Sequence, residues 1–585
     1  MYERSGTLMQ RKFHEYLIPT VLTTIAISMA NIVNSVIVGN FLGEVALAAI
    51  GLAAPVAYCL NAIFLLFAVG GVTCASIAKG RRETDNANRL FTLTFIAGIT
   101  SMLVLLAALL VFIQPISLAL SQGDIALATL IQAYLTPLVF VGPVMMLIMG
   151  MAQFVRIDGK PRIAAYIAIT ANVINLVLAI VFIKFMNMGI GGAGLATLLG
   201  YVAGIFMLLP YFYSKQRTLR FVKPLANDIT QIPHIVSVGS PKALMQGVAF
   251  LRTLILNALI VGVLGSLGMT AMTVCNSALM LTSMFISGAN DTLLPIVGTL
   301  YGEKDYPGIS FTVSTGFKFI IVVCVAIMIV FLLVPGKVGE LFGVTSPEGL
   351  AIVEPALRMY ALSLPLYGVN ILLQNFYQTT GRVKLASFFV FLNGFGFITL
   401  FALLFSGWNA DLIWMAFFFA EFATLLAVFA VGAHTRKKEG TTGILLLPKK
   451  EEDGVLLDLS IPATVEAATG ISEQIICFCR EHGASESGAM RMGIAVEEMA
   501  VNTALYGHKK KNGVIDMLVR ITDQELILRL RDDGIPFDPT EYQPEEEHTF
   551  VTGGIGMVKR LSKDITYVRQ LGFNVSIITI SRAAL

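Results

Sequence analysis

Charge is what this chain has least of. Only 14% of its 585 residues are Asp, Glu, Lys or Arg, and 56% are hydrophobic, whereas soluble domains are about 25% charged. The composition excludes the string of three or four soluble domains that length alone would suggest. Cysteine is scarce as well. Cys59, Cys74, Cys275, Cys324, Cys477 and Cys479 show neither zinc spacing nor a disulfide framework. They read as small buried hydrophobes, with Cys477 and Cys479 on different faces of one helix. The net charge of +3 comes with no basic stripe, so nucleic acid is not an expected partner. No G-x-x-x-x-G-K-[ST] phosphate loop occurs, which argues against an ATP-driven pump. A cleavable signal is not expected either, because His14 and Glu15 interrupt a first apolar run too long for one.

The shortage of charge is uneven. Of 41 Lys and Arg residues, 26 precede Glu439 and 15 lie in the much shorter remainder. The break falls at Arg436-Lys437-Lys438. Before it, apolar runs long enough to cross about 30 Å of hydrocarbon recur near 14–39, 47–78, 91–113, 129–152, 162–184, 192–214, 234–262, 270–298, 311–334, 352–378, 383–405 and 412–434. Twelve spans are therefore expected in a lipid bilayer. Twenty Lys and Arg residues flank one side of these spans, and the opposite loops offer only Lys184 and Lys337. By the positive-inside rule both termini are expected in the cytoplasm, with the spans in the cell (inner) membrane.

Landmark residues recur at an offset of 222. Pro19 returns as Pro241, Gly43 as Gly265, Gly80 as Gly302, Pro143 as Pro365 and Gly159 as Gly381. Gly and Pro have backbone reasons to stand at helix ends and kinks. The pattern gives two six-helix halves, residues 1–216 and 217–438, inserted with the same topology about an axis along the membrane normal. A linker at 439–454 leads to a domain at 455–585. The fold class is thus an all-α polytopic membrane protein followed by a C-terminal α/β sandwich.

Several segments carry a family resemblance. Asn34-Ser35-Val36-Ile37-Val38-Gly39-Asn40-Phe41-Leu42-Gly43 resembles the end of the first helix of the multidrug and toxic compound extrusion (MATE) family. Arg156-Ile157-Asp158-Gly159-Lys160-Pro161-Arg162 resembles its loop after the fourth helix. Gly191-Gly192-Ala193-Gly194-Leu195-Ala196-Thr197 resembles the start of its sixth helix, and Gly239-Ser240-Pro241 that of its seventh. The resemblance covers residues 10–435. It implies export of small organic, often cationic, compounds in exchange for H+ or Na+.

Ion coupling needs polar groups inside the membrane, where they are costly. The family often has a carboxylate at the position of Asn34 and another four residues after Asn175; here those places hold Asn34 and Ala179, neither of which takes up a proton. Asn31 with Asn34, and Asn172 with Asn175, share helix faces and could ligate Na+ or bond helices together. In the second half, Arg252 and Asp291 lie at one depth, roughly 16 Å from the cytoplasmic landmarks at 1.5 Å per residue, and Glu421 is mid-span. Their repeat equivalents are Ala30, Val69 and Leu199. Two readings stay open. Either Arg252, Asp291 and Glu421 form or flank a coupling site, or Arg252 and Asp291 are a structural ion pair. Lys242 and Lys318, nearer span ends, are expected to snorkel.

From Val455 the pattern turns to mixed α and β. Strands are expected at Val455–Ile461, Val514–Ile521, Glu525–Arg531, 564–570 and 573–580, with helices at 464–482, 485–506 and 554–562. Three boxes follow in order. Glu498 and Asn502 share a helix face, Asp532-Asp533-Gly534 ends a strand, and Gly553-Gly554-Ile555-Gly556 opens a helix. An Asn oxygen can ligate Mg2+, and a carboxylate one turn earlier can act as a base. A strand-end Asp can accept from an adenine amino group, and glycines opening a helix let its N–H groups approach phosphates. The boxes resemble the Bergerat-type (GHKL) ATP-binding fold and, more closely, the anti-sigma factor serine/threonine kinases. That resemblance implies ATP and Mg2+ as cofactors, Glu498 as the base, Asn502 as the Mg2+ ligand and Asp532 as the adenine acceptor. Gly534, Gly554 and Gly556 would approach the nucleotide. Pro536 stands where the family often has a second glycine, which restricts the start of the lid. The acidic lid, with Glu541 and Glu545-Glu546-Glu547, reads as a solvated face.

Two functions remain in competition. One is an ion-coupled antiporter with an ATP-binding regulatory or serine/threonine kinase domain that phosphorylates a separate protein. The other is a membrane sensor whose spans detect a ligand and control that kinase domain. A histidine kinase does not fit, because only about 20 residues separate His434 from Val455.

Overall fold

The structure is a computed structural model that describes residues 3–121, 123–214, 217–342, 344, 346–448, 454–507, 513–542 and 553–582. By contact the chain divides into two units, one of residues 13–447 and one of residues 1–12 with 448–585.

The larger unit is helical. Among the described residues, nine helices are long and apolar enough to cross a membrane, and eleven when two bent pairs are each taken as one span. The remaining expected span, 14–39, coincides with helix α1, Thr7–Leu42. The other eleven expected segments each fall on one of these helices or bent pairs. Helix α2, Glu44–Gly80, follows α1 directly.

The 222-residue repeat is visible in the backbone. Gly43 and Gly265 turn the chain at φ of 85° and 65°, and Gly159 and Gly381 at 84° and 79°. Those are left-handed values that glycine alone adopts without a steric cost. Arg82 and Lys304, also 222 apart, share φ near 60°, at 65° and 59°. Ile125–Val139 bends by 41° into Val141–Ile157, and Pro347–Ala361 bends by 45° into Leu364–Thr379. Both first arms are capped by a side chain, Asp124 accepting from the Ala126 and Leu127 N–H groups and Ser346 from that of Gly349.

Equivalent residues also touch. A Cβ on Gly80 would lie 2.0 Å from the Thr299 carbonyl oxygen and 2.8 Å from Gly302 Cα; one on Gly302 would lie 2.1 Å from the Ile77 oxygen and 2.8 Å from Gly80 Cα. One on Gly298 would lie 1.9 Å from Oγ of its own equivalent, Ser76. Helix α2 and the Gly268–Gly302 helix therefore cross backbone to backbone on the axis relating the halves.

The start of the expected linker is folded. Strand β1, Thr441–Thr442, pairs with β2, Leu447–Pro448. Tyr377 donates its hydroxyl to Ile444 O at 2.7 Å, and Arg382 bonds Leu446 O at 3.0 Å and Glu439 at 2.7 Å. Cys59 and Cys477 correct the expectation of burial: both are exposed, whereas the other four are buried.

The smaller unit is a two-layer sandwich. Its strands are β3 (Val455–Pro462), β4 (Val514–Ile521), β5 (Glu525–Asp532), β6 (Asp564–Gln570) and β7 (Phe573–Ser581), in the order β3-β4-β5-β7-β6, all antiparallel. Period-two alternation puts Leu459, Met517, Leu530 and Ile578 on the face covered by the helices Val465–Glu481 and Glu486–Asn502. Thr464 and Ser485 cap those helices.

The crossing on the axis generates a prediction. Gly80→Val forces a side chain into backbone and should destabilise the protein by about 1–3 kcal/mol. A lowered unfolding midpoint in detergent, with Gly51→Val in open space as the neutral control, is the expected result.

Candidate functional site

Four segments of the smaller unit meet around a cavity of about 340 Å³. The Glu486–Asn502 helix brings Asn502 and Met499, and its extension into a π-helical turn, Thr503–Gly507, brings Thr503 and Tyr506. Single π turns inside helices are frequent at functional sites. Strand β5 brings Asp532 at its end, the following loop brings Ile535, Pro536 and Phe537, and β7 brings Asn574 and Ser576.

Asn502 donates its Nδ2 to the Glu498 carbonyl at 2.7 Å, which presents Oδ1 as its remaining ligand atom. The Glu498 carboxylate lies against the third box, since a Cβ on Gly554 would sit 1.8 Å from Oε2. Burial first, and then the charge of Glu497, raise the Glu498 pKa above the ordinary carboxylate value. Gly534 is required by close approach: a Cβ there would meet Gly507 O at 2.4 Å, and the next N–H, of Ile535, donates to that oxygen at 2.9 Å. Gly556 has open space around it. The lid is anchored where it begins by Lys559, whose Nζ donates to Thr540 O and Tyr542 O at 2.8 and 2.9 Å. Glu541 is exposed, and Glu545, Glu546 and Glu547 lie outside the described residues.

Asn574 is the residue whose role the sequence left unread. It faces Asp532 across β5 and β7. Its Nδ2 donates to Asp532 Oδ1 and to Ile535 O, both at 2.9 Å. Its Oδ1 accepts from Arg569 Nη1 at 2.6 Å and the Tyr567 hydroxyl at 2.9 Å. With two donors and two acceptor sites filled, the amide has one orientation, and Asp532 Oδ1 receives this bond together with that of the Gly534 N–H at 2.7 Å. The donor set fits a purine nucleotide with Mg2+: an oriented carboxylate, aromatic and aliphatic walls, a hard amide oxygen, and open space at Gly556.

In the larger unit Arg252 and Glu421 line one small cavity with Tyr360 and Tyr367. Glu421 Oε2 accepts from Asn370 at 2.7 Å and from Asn393 at 2.5 Å, and Asn370 also bonds the Glu421 carbonyl. Asp291 is elsewhere. Of the two readings left open, the ion pair of Asp291 with Arg252 gives way to one with Arg156 at 3.7 Å, which joins the two halves of the repeat. Equal depth did not mean equal direction: Arg252 shares its cavity with Glu421, and Asp291 faces a residue of the first half. Lys242, expected to snorkel, is half-buried. Asn175 Oδ1 is buried with no hydrogen-bond partner, while Asn172 bonds back to Ala168 O. The side chains of Asn31 and Asn34 lie outside the described residues. Asp158 of the loop motif is clamped by Lys79, the Tyr211 hydroxyl and the Thr218 N–H at 2.8, 2.9 and 3.0 Å. Among the described residues no group of three His, Cys, Asp or Glu could hold a metal.

Comparison with known proteins follows the same division. A model of the MatE family matches residues 19–181 and 241–403, more than half of the chain, in two segments that start 222 residues apart. A model described as a histidine kinase-like ATPase domain matches residues 461–579. The multidrug export protein MepA of Staphylococcus haemolyticus (strain JCSC1435) is 23% identical over 434 residues, covering 74% of this chain and 94% of that protein. The probable multidrug resistance protein YoeA of Bacillus subtilis (strain 168) is 25% identical over 228 residues, 38% of this chain and 48% of that protein. A MOP superfamily transporter from Pyrococcus furiosus superimposes with a TM-score of 0.68 at 19% identity, covering 76% of this chain and 100% of its own. A mutant of the Vibrio cholerae MATE transporter VcmN gives 0.68 at 19%, covering 73% and 98%. At such identities the solved structures bear on the fold alone.

The buried carboxylate cluster is testable by stability. Asn393→Leu removes one of the two side-chain donors to Glu421 and should cost about 1–3 kcal/mol, seen as a lower unfolding midpoint. Adding Glu421→Gln, which removes the charge that the lost donor served, should make the two losses less than additive.

Proposed function

The chain belongs to the MatE family and carries a histidine kinase-like ATPase domain, and from that premise we propose that it is an ion-coupled secondary antiporter exporting small organic, cationic compounds under the control of nucleotide binding. Membership of the family carries the transport reading. Glu421, held by two amides in a cavity that also contains Arg252, is the candidate coupling carboxylate for H+ or Na+. Asn34 and Asn175 are candidate Na+ ligands that exchange no proton. Asp291, bound to Arg156 across the halves, is the candidate coupling residue that links them. The twenty basic residues flanking one side of the spans support a cytoplasmic location for both termini at the inner membrane, where ATP is available.

The convergence of Glu498, Asn502, Asp532 and Gly554 supports the second part of the reading, a serine/threonine kinase of the anti-sigma factor type acting on a separate protein. When bound, Mg-ATP supplies the phosphoryl group. The residues of the chain do the rest. Asp532, oriented by Asn574, accepts the adenine amino group. Asn502 Oδ1 would hold the metal, and Glu498 would serve as the base for the substrate hydroxyl. The sensor reading keeps this chemistry and removes transport.

Transport assays in inverted vesicles separate these readings. Uptake driven by an H+ or Na+ gradient without ATP is expected. Uptake driven by ATP without a gradient would overturn the antiporter, and no uptake under any condition would leave the sensor. Asp532→Asn should weaken ATP binding by the full chain about 10- to 100-fold, the loss of a hydrogen bond to a charged acceptor, measured by titration calorimetry.

The pH dependence of phosphoryl transfer tests Glu498. Its folded pKa is raised, so the basic form is lost at a higher pH than for a free Glu as the medium is acidified. Glu497→Gln removes a neighbouring charge that contributes to the raise. The acidic limb of the rate profile should move to lower pH in that variant.

A further inference from the structure

The helix-free face of the nucleotide domain's sheet holds a polar row that the kinase chemistry does not use. Ser460 of β3 faces Asp516 of β4, and Asp516 faces Arg531 of β5. All three are buried, Arg531 being 1% exposed. The residues that cover this face come from the other end of the sequence. Arg4 Nη1 bonds both carboxylate oxygens of Asp458 at 3.1 and 3.0 Å, and Nη2 lies 3.6 Å from Asp516. The Ser5 N–H donates to Ser460 Oγ at 2.9 Å, while that hydroxyl donates to Asp516 Oδ1 at 2.7 Å. The Ser460 N–H, on the free edge of the sheet, donates to Glu3 O at 3.4 Å. Lys12 Nζ sits 4.6 Å above the Phe573 ring, which Arg531 also approaches at 5.8 Å. An arginine, a main-chain N–H and carbonyl, and a lysine on an aromatic ring together make a specific dock, and it shields a sheet edge that would otherwise be open to pairing.

The row lies directly behind the nucleotide cavity. Successive residues of a strand point to opposite faces. Arg531 and Phe573 face the docked segment, and their neighbours Asp532 and Asn574, partners in the β5–β7 register, face the cavity. A ligand that engages Asp532, which Asn574 orients, restrains the two backbone segments that carry Arg531 and Phe573. Residues 7–12 of the docked segment are the first turns of α1, which runs on without interruption to Leu42.

We propose that this sheet face is a receptor for residues 3–12, and that nucleotide occupancy tightens the dock and so reaches the first spanning helix through its own first turns. The proposal rests on the nucleotide reading above. By linkage, a ligand that tightens the dock is itself bound more tightly when the dock is closed, and such couplings amount to about 5- to 150-fold.

The test uses the full chain in lipid nanodiscs with Ser5→Cys and Ser460→Cys in a background of Cys59→Ser and Cys477→Ser. The rate at which the two introduced thiols cross-link, with the product identified by peptide mass, is compared with and without Mg-ATP, and ATP binding is titrated on the same sample. A rate raised at least about fivefold by Mg-ATP, with no response when Asp532→Asn is added, is the expected result. Arg4→Ala should slow the cross-link in both states and weaken ATP binding, whereas a purely structural dock would leave ATP affinity unchanged. Normal ATP binding with an unaltered cross-linking rate would overturn the proposal alone. Absence of ATP binding in both the parent chain and the doubly substituted one would overturn the nucleotide reading, and the proposal with it.

Discussion

The larger unit depends on the crossing of Gly80 with Gly302. Helices in lipid gain nothing from burying apolar surface against one another, because the solvent is equally apolar; they associate by close packing, which small residues permit. Here the small residues are repeat equivalents of each other, as are Ser76 and Gly298, so two backbones approach on the axis itself. A side chain at either glycine would strike main-chain atoms of the opposite half, which have no rotamer by which to move away. The same economy recurs off the axis. A Cβ on Gly239 would fall 1.9 Å from Leu66 O, and one on Gly288 would fall 2.6 Å from the Val21 side chain. Gly239 and Gly288 are the equivalents of Leu17 and Leu66, so the two crossings form one symmetric pair around the centre.

The features that could be read from the sequence were those set by local backbone chemistry. The positive-φ glycines, the kink prolines and the alternation of strands β3 to β7 each leave a mark within a few residues, and the structure agrees with them closely. Partners were harder. A position along a helix gives depth, but its direction turns by about 100° per residue, so Arg252 and Asp291 could share a level and still face different neighbours. Asn370 and Asn393 carry no charge to mark them in the sequence, although an amide in an apolar run also needs a partner. Asn574 lay within a recognised segment, yet its role depends on β7 pairing with β5 while β6 takes the outer edge, an order that the sequence does not display.

In the smaller unit one sheet serves two faces by strand alternation. Toward the helices the residues are apolar until the strand ends, where Asp532 and Asn574 replace them at the mouth of the cavity. On the other face Asp458, Ser460, Asp516 and Arg531 form a polar layer that would be costly to bury unless paired. Residues 3–5 supply hydrogen bonds and an ion pair to three of the four, which accounts for a buried polar surface in a domain of this size. A two-layer sandwich leaves one sheet face without helices; here the covering is a short segment rather than a third layer.

Where the repeat is kept and where it is broken are physically different places. It is kept in turns, bends, caps and the axial crossing, features that give the two halves the same shape. It is broken at charges within the spans: Arg252, Asp291 and Glu421 correspond to Ala30, Val69 and Leu199. A charge in lipid is tolerated only with partners: Glu421 has two amides, and Asp291 has Arg156 of the other half. Duplication can copy a helix and its kink, but a buried charge requires several residues on different helices to change together. Each half has made such changes separately: the first pairs Lys79 with Asp158, where the repeat has Tyr301 and Thr380, and the second surrounds Glu421 with two amides, so the polar chemistry differs between halves whose turns and bends are shared.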